Sequence, residues 1–328
     1  MEAVTRRFAV LAQEGSCVRR GREGVARTSG LWLDRMRMDL PVATPAELAA
    51  PPPFEVAWPI GPRLPLVFAS GHSGSHYSAD FLAETRLDPL ALRRSEDGFV
   101  DELFADAPLH GAPLLRATFP RVFCDANREP WELDPAMFDG PLPSWVNSAS
   151  PRVSAGLGTI ARVVATGDTV YRRKLSFAEA EVRIRAYWQP YHAALGALLI
   201  DTRQQTGCCL LLDCHSMPAH PAHGGAQADF VLGDAHGTAC APRATRLVEE
   251  ALSGMGYRVR RNDPYAGGYV TRHYGRPREG VHALQIEIAR SLYMDEARVA
   301  RAPGMAPLKQ NLNRLIGTLA GVDWGFLR

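Results

Sequence analysis

Three apolar runs of the sequence end in, or carry, a side chain that can bind a metal or move a proton. His72 follows one run, Asp213 and His215 close a second, and Glu287 lies within a third. Such runs are typical of buried strands, and open α/β sheets bind their ligands at the carboxyl ends of the strands. We therefore expect the two histidines and the glutamate to reach one pocket.

The two histidines indicate a metal site. Neutral imidazole is the commonest zinc ligand, and two histidines plus one carboxylate, with a fourth position left open, form a catalytic zinc set. Asp97, at the predicted start of a helix, is our choice for the carboxylate, with Glu96 as its rival. The alternative for each histidine is a capping or hydrogen-bonded loop residue. The pattern predicts a site for Zn²⁺, or for another divalent metal, formed by His72, Asp97 and His215.

Glu287 is the candidate general base. An ionised carboxylate in an apolar strand is costly to bury, so it needs a cation, a hydrogen-bond donor or a metal nearby. Beside a metal, it can take a proton from water and deliver it to a leaving amine. The structural alternative is a salt bridge to Arg290 or Arg272. Asp213 is the candidate to hold His215, or a neighbouring ligand, from the side away from the metal.

Arginines are the candidate substrate ligands. The pair Asn127-Arg128 and the separate Arg272 are our predictions, because a guanidinium offers a planar fork that matches a carboxylate. Two arginines suit a dicarboxylate, whereas a surface arginine is the alternative for each. Arg272 lies in the segment 262–275, whose glycines permit motion, so we predict a loop that covers the substrate.

The elements that position these residues alternate along the chain. A capping box at Ser176 and Glu179 begins the clearest helix. Strands are predicted over 64–70, 208–214, 228–234 and 281–288, near 257–260, and as two short pieces within 113–125. Helices are predicted over 176–203, 243–254 and 307–320, and one further helix is predicted from Asp97 onward. This alternation predicts an α/β fold with a mixed, mostly parallel sheet between helices.

Composition narrows the class of protein. The chain has 328 residues, of which 46% are hydrophobic and 22% charged, as in an ordinary globular protein. A net charge of +2 without a clustered basic face excludes nucleic acid as an expected partner. No apolar run is long enough for a membrane span, and cysteines inside an apolar strand favour a reduced, cytoplasmic protein. The expected partner is a small molecule, and the oligomeric state is left open.

The domain boundaries follow the composition. Residues 1–38 are rich in Arg, Gly and Ser and lack sustained periodicity. There we expect either a disordered extension or a translation start that is assigned too far upstream. Residues 39–328 are expected to form a single α/β hydrolase domain. The GLGTI stretch at 156–160 lacks the third glycine and the following helix of a dinucleotide-binding loop, so a nucleotide cofactor is not expected.

Several long segments, taken in order, resemble the N-formylglutamate amidohydrolase family. The resemblance covers nearly everything from about residue 60 to 320. Its segments include GHSGSHY (71–77), FCDANREPWELDPAMFD (123–139), DCHSMP (213–218), ADFVLGDAHGT (228–238), NDPYAGGYVTRHYG (262–275) and ALQIEIARSLYMDE (283–296). Several motifs in one order are far more specific than any single motif.

The resemblance implies a fold similar to the zinc carboxypeptidases and aspartoacylases, of the phosphorylase/hydrolase-like class. It implies a metal held by His72, an acid of the segment 95–97 and His215, with Glu287 as base. Asn127-Arg128 would then contact the substrate carboxylate. Ser75 stands where carboxypeptidases have the glutamate of their HxxE pair, and Ala289 replaces an asparagine expected in the family.

The activity implied by the resemblance is cleavage of N-formyl-L-glutamate to formate and L-glutamate in histidine degradation. Two alternatives keep the same fold. One is an aminoacylase or small carboxypeptidase that acts on another N-acyl amino acid. The other is a metal-free protein that binds an acylated amino acid without cleaving it.

Overall fold

The computed structural model describes residues 51–164, 166–218 and 228–328. All the described residues belong to one compact unit, Ala50–Arg328. The extension predicted for residues 1–38 lies outside the described residues, as does the first part of the domain predicted from residue 39.

A seven-stranded sheet forms the centre of the fold, in the order β1-β3-β2-β4-β7-β5-β6. Its strands are β1 (Phe54–Ala57), β2 (Leu66–Ser70), β3 (Leu114–Ala117), β4 (Cys209–Met217), β5 (Phe230–Gly233), β6 (Val259–Arg261) and β7 (Val281–Ala289). Strands β3, β2, β4 and β7 run parallel, whereas β1 and the pair β5 and β6 run the other way. The predicted α/β class with a mixed, mostly parallel sheet is confirmed.

The two central strands place polar groups on one face and apolar groups on the other. Side chains along a strand alternate between faces, so residues two apart share a face. Leu212, Cys214 and Ile286 belong to one apolar core. Their neighbours in sequence therefore face the opposite side, where Asp213 pairs in register with Gln285 and His215 with Glu287.

Helices cover both faces of the sheet. They are α1 (Ala79–Glu84), α2 (Pro89–Arg93), α3 (Val100–Leu103), α4 (Pro151–Ser154), α5 (Phe177–Arg183), α6 (Gln189–Thr206), α7 (Pro242–Gly254), α8 (Tyr269–Tyr274) and α9 (Met305–Ala320). Helices α3, α7 and α9 pack on the apolar face, whereas α6 lies against β2 and β4 from the other side. Among these described helices, none combines the length and hydrophobicity that a bilayer crossing requires.

The structure differs from several predicted elements. The helix predicted from Asp97 onward begins at Val100 instead, as the short helix α3, so that Asp97 lies in the turn before it. The helix predicted over 176–203 begins with its capping box at Ser176 but contains a π-helical turn, Ile184–Trp188, between α5 and α6. The segment 113–125 forms one strand, β3, because Pro120 begins a turn after it. The segment 262–275 is not only a loop, since its second half is helix α8.

A buried histidine on α6 makes the stability of the fold depend on pH. His192 is 1% exposed; its Nε2 donates to the carbonyl of Ala126 (2.8 Å), and its Nδ1 lies 2.9 Å from the hydroxyl of Tyr274. Burial lowers the pKa of His192 to about 3, because the charged form cannot be hydrated there.

We expect the wild type to lose more stability than His192→Gln between pH 7 and pH 5. The folded-state pKa lies below the unfolded value of 6.5, so the unfolded chain binds the extra proton and stability falls as the pH falls through 6.5. The linkage contributes roughly 2 kcal/mol over this interval. Urea unfolding of both proteins at both pH values measures it; equal losses would contradict a neutral buried imidazole.

Candidate active site

Three buried ligand atoms converge where β2 and β4 end. Nδ1 of His72 and Nδ1 of His215 lie 3.3 and 2.9 Å from Oδ2 of Asp97. Each of the three side chains is at most 2% exposed, and one ligand atom from each lies within 4.8 Å of the others. The imidazole rings stand 4.7 Å apart at 67°, so both lone pairs can reach one point. The sequence thus indicated residues that the fold brings together; their role as ligands stays a prediction.

A second carboxylate holds the far side of the His72 ring. Nε2 of His72 lies 2.7 Å from Oδ1 of Asp125, which is itself buried. Burial opposes the charge on Asp125, but Arg121, Arg128 and His72 outweigh it and hold the pKa of Asp125 well below its usual range. An ionised carboxylate only accepts, so the proton sits on Nε2, and Nδ1 keeps a free lone pair.

Asp213 lies on the far side of the His215 ring. Nε2 of His215 lies 3.0 Å from Oδ1 of Asp213, whose buried carboxylate accepts no hydrogen bond from the described residues. Burial opposes a positive charge on His215, but Asp213 and Asp97 outweigh it and hold its pKa well above 6.5. Two buried carboxylates therefore favour a cation at this place. The structure places Asp213 where the sequence predicted support for His215.

Asp97 rather than Glu96 faces the imidazoles. Oδ1 of Asp97 accepts from Ser216 Oγ and Arg290 Nη2, both at 3.1 Å, which leaves Oδ2 directed at the two rings. The carboxylate of Glu96 instead accepts from Tyr77 Oη at 2.8 Å and from Arg93. The sequence left open which of the two adjacent acids faces the histidines, and in the fold it is Asp97.

These donors fit a divalent metal ion. Two imidazole nitrogens and one carboxylate oxygen suit Zn²⁺ and other first-row divalent ions, and such ligands usually have a carboxylate behind each imidazole. Both features are present at His72 and His215, together with the uncompensated carboxylate of Asp213. The residues present therefore fit the metal that the sequence predicted.

Glu287 lies beside the cluster, on β7 opposite His215. Burial raises the pKa of Glu287 to about 7, with a further rise from Asp97 and an opposing effect of His215. A carboxyl group with a pKa near neutrality suits proton transfer in both directions. The alternative, a salt bridge from Glu287 to Arg290 or Arg272, is absent from the ion pairs of the described residues, and Arg290 pairs with Asp97 at 3.1 Å.

An arginine-rich cavity of about 440 Å³ opens over these residues. Six arginines and three carboxylates line it, so it carries a positive excess toward a ligand. The arginines are Arg94, Arg121, Arg128, Arg152, Arg272 and Arg290. Such a lining favours an anionic ligand.

Arg128 keeps part of its guanidinium available to that ligand. Its Nε and Nη1 donate to the carbonyls of Leu157 (2.9 Å) and Asn127 (2.8 Å), whereas Nη2 has, among the described residues, only Asp125 at 3.9 Å. The guanidinium is buried, and this desolvation lowers the pKa of Arg128 to about 10. Arg272 also lines the cavity but is exposed, with its Nε on the carbonyl of Gly267.

Asn127 lines the cavity, and its amide makes polar contacts that hold one wall of the cavity in place. Its Oδ1 accepts from the amide of Val270 at 2.8 Å, and its Nδ2 lies 3.2 Å from Nε2 of His215. The predicted contact of Asn127 with a substrate carboxylate stays a prediction.

Gly267 and Gly268 allow the backbone to pack closely against neighbouring side chains. Gly267 has a φ of +111°, and a Cβ on Gly268 would lie 2.4 Å from both Nδ2 and Oδ1 of Asn127. The sequence suggested glycines that permit motion; the structure instead uses Gly268 to let the backbone pack against an amide.

We expect Gly268→Ala to lower kcat/KM about 100-fold, because a displacement of about 1 Å in a catalytic site has effects of this size. The added methyl group cannot coexist with Asn127, so the amide moves and loses its contacts with Val270 and His215. Steady-state kinetics on the purified variant measures the effect. The matched control is Gly196→Ala within α6, where a methyl group meets nothing within 4 Å. Equal activity of both variants would contradict the tight approach.

Three residues of this site escaped sequence reasoning. Asp125 holds His72, Arg121 donates to Asp125 at 2.7 Å and lines the cavity, and Gln285 contacts Glu287 at 2.7 Å. Asp125 and Arg121 lie just before Asn127-Arg128, so proximity in sequence was an available signal. Gln285 precedes Glu287 by two positions, and on a strand that spacing places both side chains on one face.

Comparisons with known proteins agree with one another. The family model described as N-formylglutamate amidohydrolase matches residues 64–294. An N-formylglutamate deformylase from Pseudomonas putida is 30% identical over 265 residues, which cover 77% of this chain and 93% of that protein. A second, from Pseudomonas aeruginosa, is 32% identical over 240 residues, which cover 71% of this chain and 84% of that protein.

Solved structures extend the similarity to three dimensions. The crystal structure of an N-formylglutamate amidohydrolase from Ralstonia eutropha JMP134 superposes with a TM-score of 0.78 at 42% identity, covering 82% of this chain and 97% of that one. The structure of the Agrobacterium tumefaciens gene product Atu2144 has a TM-score of 0.53 at 20% identity and supports the fold alone.

Proposed function

The chain belongs to the N-formylglutamate amidohydrolase family, and we propose on this premise that it hydrolyses N-formyl-L-glutamate to formate and L-glutamate. One structural observation supports the proposed hydrolysis independently of family membership. The imidazoles of His72 and His215 converge on Asp97 beside the buried Glu287, under an arginine-lined cavity. This combination supports cleavage of an amide in an anionic substrate.

We propose that His72, Asp97 and His215 hold a divalent metal, with Zn²⁺ as the first choice. When bound, such an ion supplies Lewis-acid catalysis, which polarises a carbonyl and makes water a better nucleophile near neutral pH. Asp125 keeps the proton of His72 on Nε2, Asp213 lies 3.0 Å behind Nε2 of His215, and Arg290 occupies Oδ1 of Asp97 so that Oδ2 faces the two rings. These contacts fix the three ligand atoms before the ion arrives.

Glu287 carries the proton in the proposed reaction. Its carboxylate takes a proton from the water molecule that attacks the formyl carbon, and the oxygen of that water forms the new C–O bond. The same carboxyl group then delivers the proton to the amide nitrogen as the C–N bond breaks. The second proton of the water passes from the new carboxylic acid to the amine, so the products are formate and the ammonium form of L-glutamate. A pKa near 7 lets Glu287 give and take this proton at neutral pH.

Arginines orient the substrate and oppose its charge. Arg121 is 24% exposed and lines the cavity, where its guanidinium can stabilise the negative charge that develops on the formyl oxygen. Arg128 offers Nη2 to one carboxylate of the substrate, and the exposed Arg272 is our proposal for the other. The substrate is a dianion, which agrees with the positive excess of the lining.

We expect Arg128→Gln to raise KM for N-formyl-L-glutamate roughly 10- to 100-fold, the effect of losing a charge-assisted hydrogen bond of about 1.5–3 kcal/mol. The side chain of Arg128 contacts substrate in the ground state as well as later, so kcat should change less. Initial rates over a range of substrate concentrations measure both constants. The control is Arg258→Gln, an exposed arginine that pairs with Asp229. An unchanged KM in Arg128→Gln would remove this residue from substrate binding.

The proposal includes a cytoplasmic role in histidine degradation. The five described cysteines are all buried and free, which supports a reducing compartment.

Comparing three acyl groups on L-glutamate tests the proposed activity. We expect formate release from N-formyl-L-glutamate at a kcat/KM well above that for the N-acetyl and N-succinyl compounds. A preference for either larger group would instead indicate an aminoacylase. Binding of all three without cleavage, by protein loaded with Zn²⁺, would indicate a non-catalytic binding protein.

A further inference from the structure

Gln285 is a buried amide that joins Glu287 to the cavity wall. It is 4% exposed and lies two residues before Glu287 on β7, so the two side chains share one face of the sheet. Its Nε2 donates to Oε1 of Glu287 at 2.7 Å, and its Oε1 accepts from the backbone amide of Gly268 at 2.8 Å. Asn127 Nδ2 lies 3.5 Å from the same Oε1.

The chemistry of the partners fixes the orientation of this amide. A backbone N–H can only donate, so the oxygen of Gln285 must face Gly268, and the NH₂ group must face Glu287. An ionised carboxylate can only accept, so this hydrogen bond is at its strongest when Glu287 is ready to act as a base. Among the described residues, this contact with Gln285 is the one side-chain hydrogen bond that Glu287 makes.

We propose that Gln285 is a positioning residue, which acts through Glu287 by holding its carboxylate in place and by tying it to Gly268. The contact restrains a carboxylate that otherwise has rotational freedom next to the metal ligands. The other end of the amide restrains the segment that packs on Asn127. The base and one wall of the cavity are thereby held by a single side chain. This inference rests on the proposed function, because it assumes that Glu287 is the base.

Two substitutions separate the two contacts. Gln285→Glu keeps an oxygen for the amide of Gly268 but puts an acceptor where Glu287 needs a donor. Gln285→Met, of similar shape, removes both contacts. We expect kcat to fall about 10- to 100-fold in both variants, since misplacing a catalytic group has effects of this size. KM should stay within about threefold of wild type in Gln285→Glu and rise further in Gln285→Met, because only the latter releases the cavity wall.

A double-mutant cycle with Glu287→Gln distinguishes positioning from general structural support. A residue that acts only through Glu287 has nothing to position once that carboxylate is gone. We therefore expect Gln285→Glu to change the residual kcat less than about twofold in the Glu287→Gln background. An equal loss in both backgrounds would overturn the inference, as would a single Gln285→Glu variant with the kcat of wild type.

Two further measurements exclude indirect causes. Zinc content and thermal unfolding are recorded for every variant. Zinc content should match wild type in Gln285→Glu, whereas the unfolding temperature should fall, because the substitution places a second buried carboxylate beside Glu287. The control Leu319→Ala creates a cavity in the core on α9, far along the chain from the site, and should lower the unfolding temperature without changing kcat. A loss of zinc in Gln285→Glu would overturn the inference. If the wild type cleaves no N-formyl-L-glutamate, the proposed function is overturned as well. If the wild type is active but substitution of Gln285 leaves kcat unchanged, only the inference is overturned.

Discussion

Glu287→Gln is expected to lower kcat about 1,000-fold, within the range of about 10²–10⁴ that a positioned general base contributes. The substitution keeps the size of the side chain but removes the group that accepts a proton. The two histidines and Asp97 are untouched, so zinc content should equal that of wild type, and KM should change little. Single-turnover and steady-state rates of formate release, with metal analysis of the same samples, measure the effect.

Glu96→Gln is the matched control for this experiment. Glu96 is another buried carboxylate, 1% exposed, but its oxygens face Tyr77 and Arg93 rather than the metal ligands. A glutamine there still accepts from the hydroxyl of Tyr77, so kcat should stay within about threefold of wild type, as expected for a change outside the reacting groups. A Glu287→Gln variant that keeps a tenth or more of the wild-type kcat would remove this residue as the base.

The placement of His72, His215 and Glu287 could be predicted because local rules determine it. An apolar run predicts a buried strand, the strand ends mark one edge of a parallel sheet, and an alternation of two residues assigns each side chain to a face. These rules need no knowledge of distant contacts. They also explain why the helix over 243–254 and the strands at β5 and β6 were predicted to within a few residues.

The supporting contacts could not be predicted in the same way, because they join segments that are far apart in the sequence. Asp125 meets His72 across 53 positions, and Arg290 meets Asp97 across 193. No periodicity records which of two adjacent acids, Glu96 or Asp97, turns toward the histidines. That choice depends on the tertiary partners of each carboxylate, Tyr77 for Glu96 and Ser216 for Asp97.

Glycine patterns are ambiguous for a related reason. Free rotation and close packing both require a residue without a Cβ, so the sequence of 262–275 suggested a mobile cover. In the structure, a Cβ on Gly233 or Gly268 would lie within 3.0 Å of backbone atoms or of the Asn127 amide, so these two glycines serve close packing. The π-helical turn before α6 lies next to Pro190, which has no N–H to continue a regular helix, and Trp188 at its end donates from Nε1 to the carbonyl of Arg128.

His215→Ala is expected to weaken Zn²⁺ binding more than 100-fold, since losing even a residue behind a ligand typically costs about 10- to 100-fold. The substitution removes Nδ1 from the three converging ligand atoms and leaves Asp213 buried without the imidazole at 3.0 Å. Competition with a chromophoric chelator measures the affinity directly, and formate release should fall with zinc occupancy. His215→Gln supplies an N–H toward Asp213 and serves as a second variant if the alanine protein is poorly folded.

His282→Ala is the matched control, because His282 is an equally buried histidine on the neighbouring strand β7. Its Nδ1 accepts from the amide of Ala241 at 3.1 Å, and its Nε2 donates to the carbonyl of Leu327 at 3.0 Å, so it supports packing and lies outside the cluster. Its loss should reduce the free energy of unfolding by about 1–3 kcal/mol, the cost of leaving a buried donor unpaired, and should leave zinc affinity unchanged. If His215→Ala and His282→Ala bound zinc equally well, the ion would not lie between His72, Asp97 and His215, and the hydrolytic role of this site would have to be abandoned.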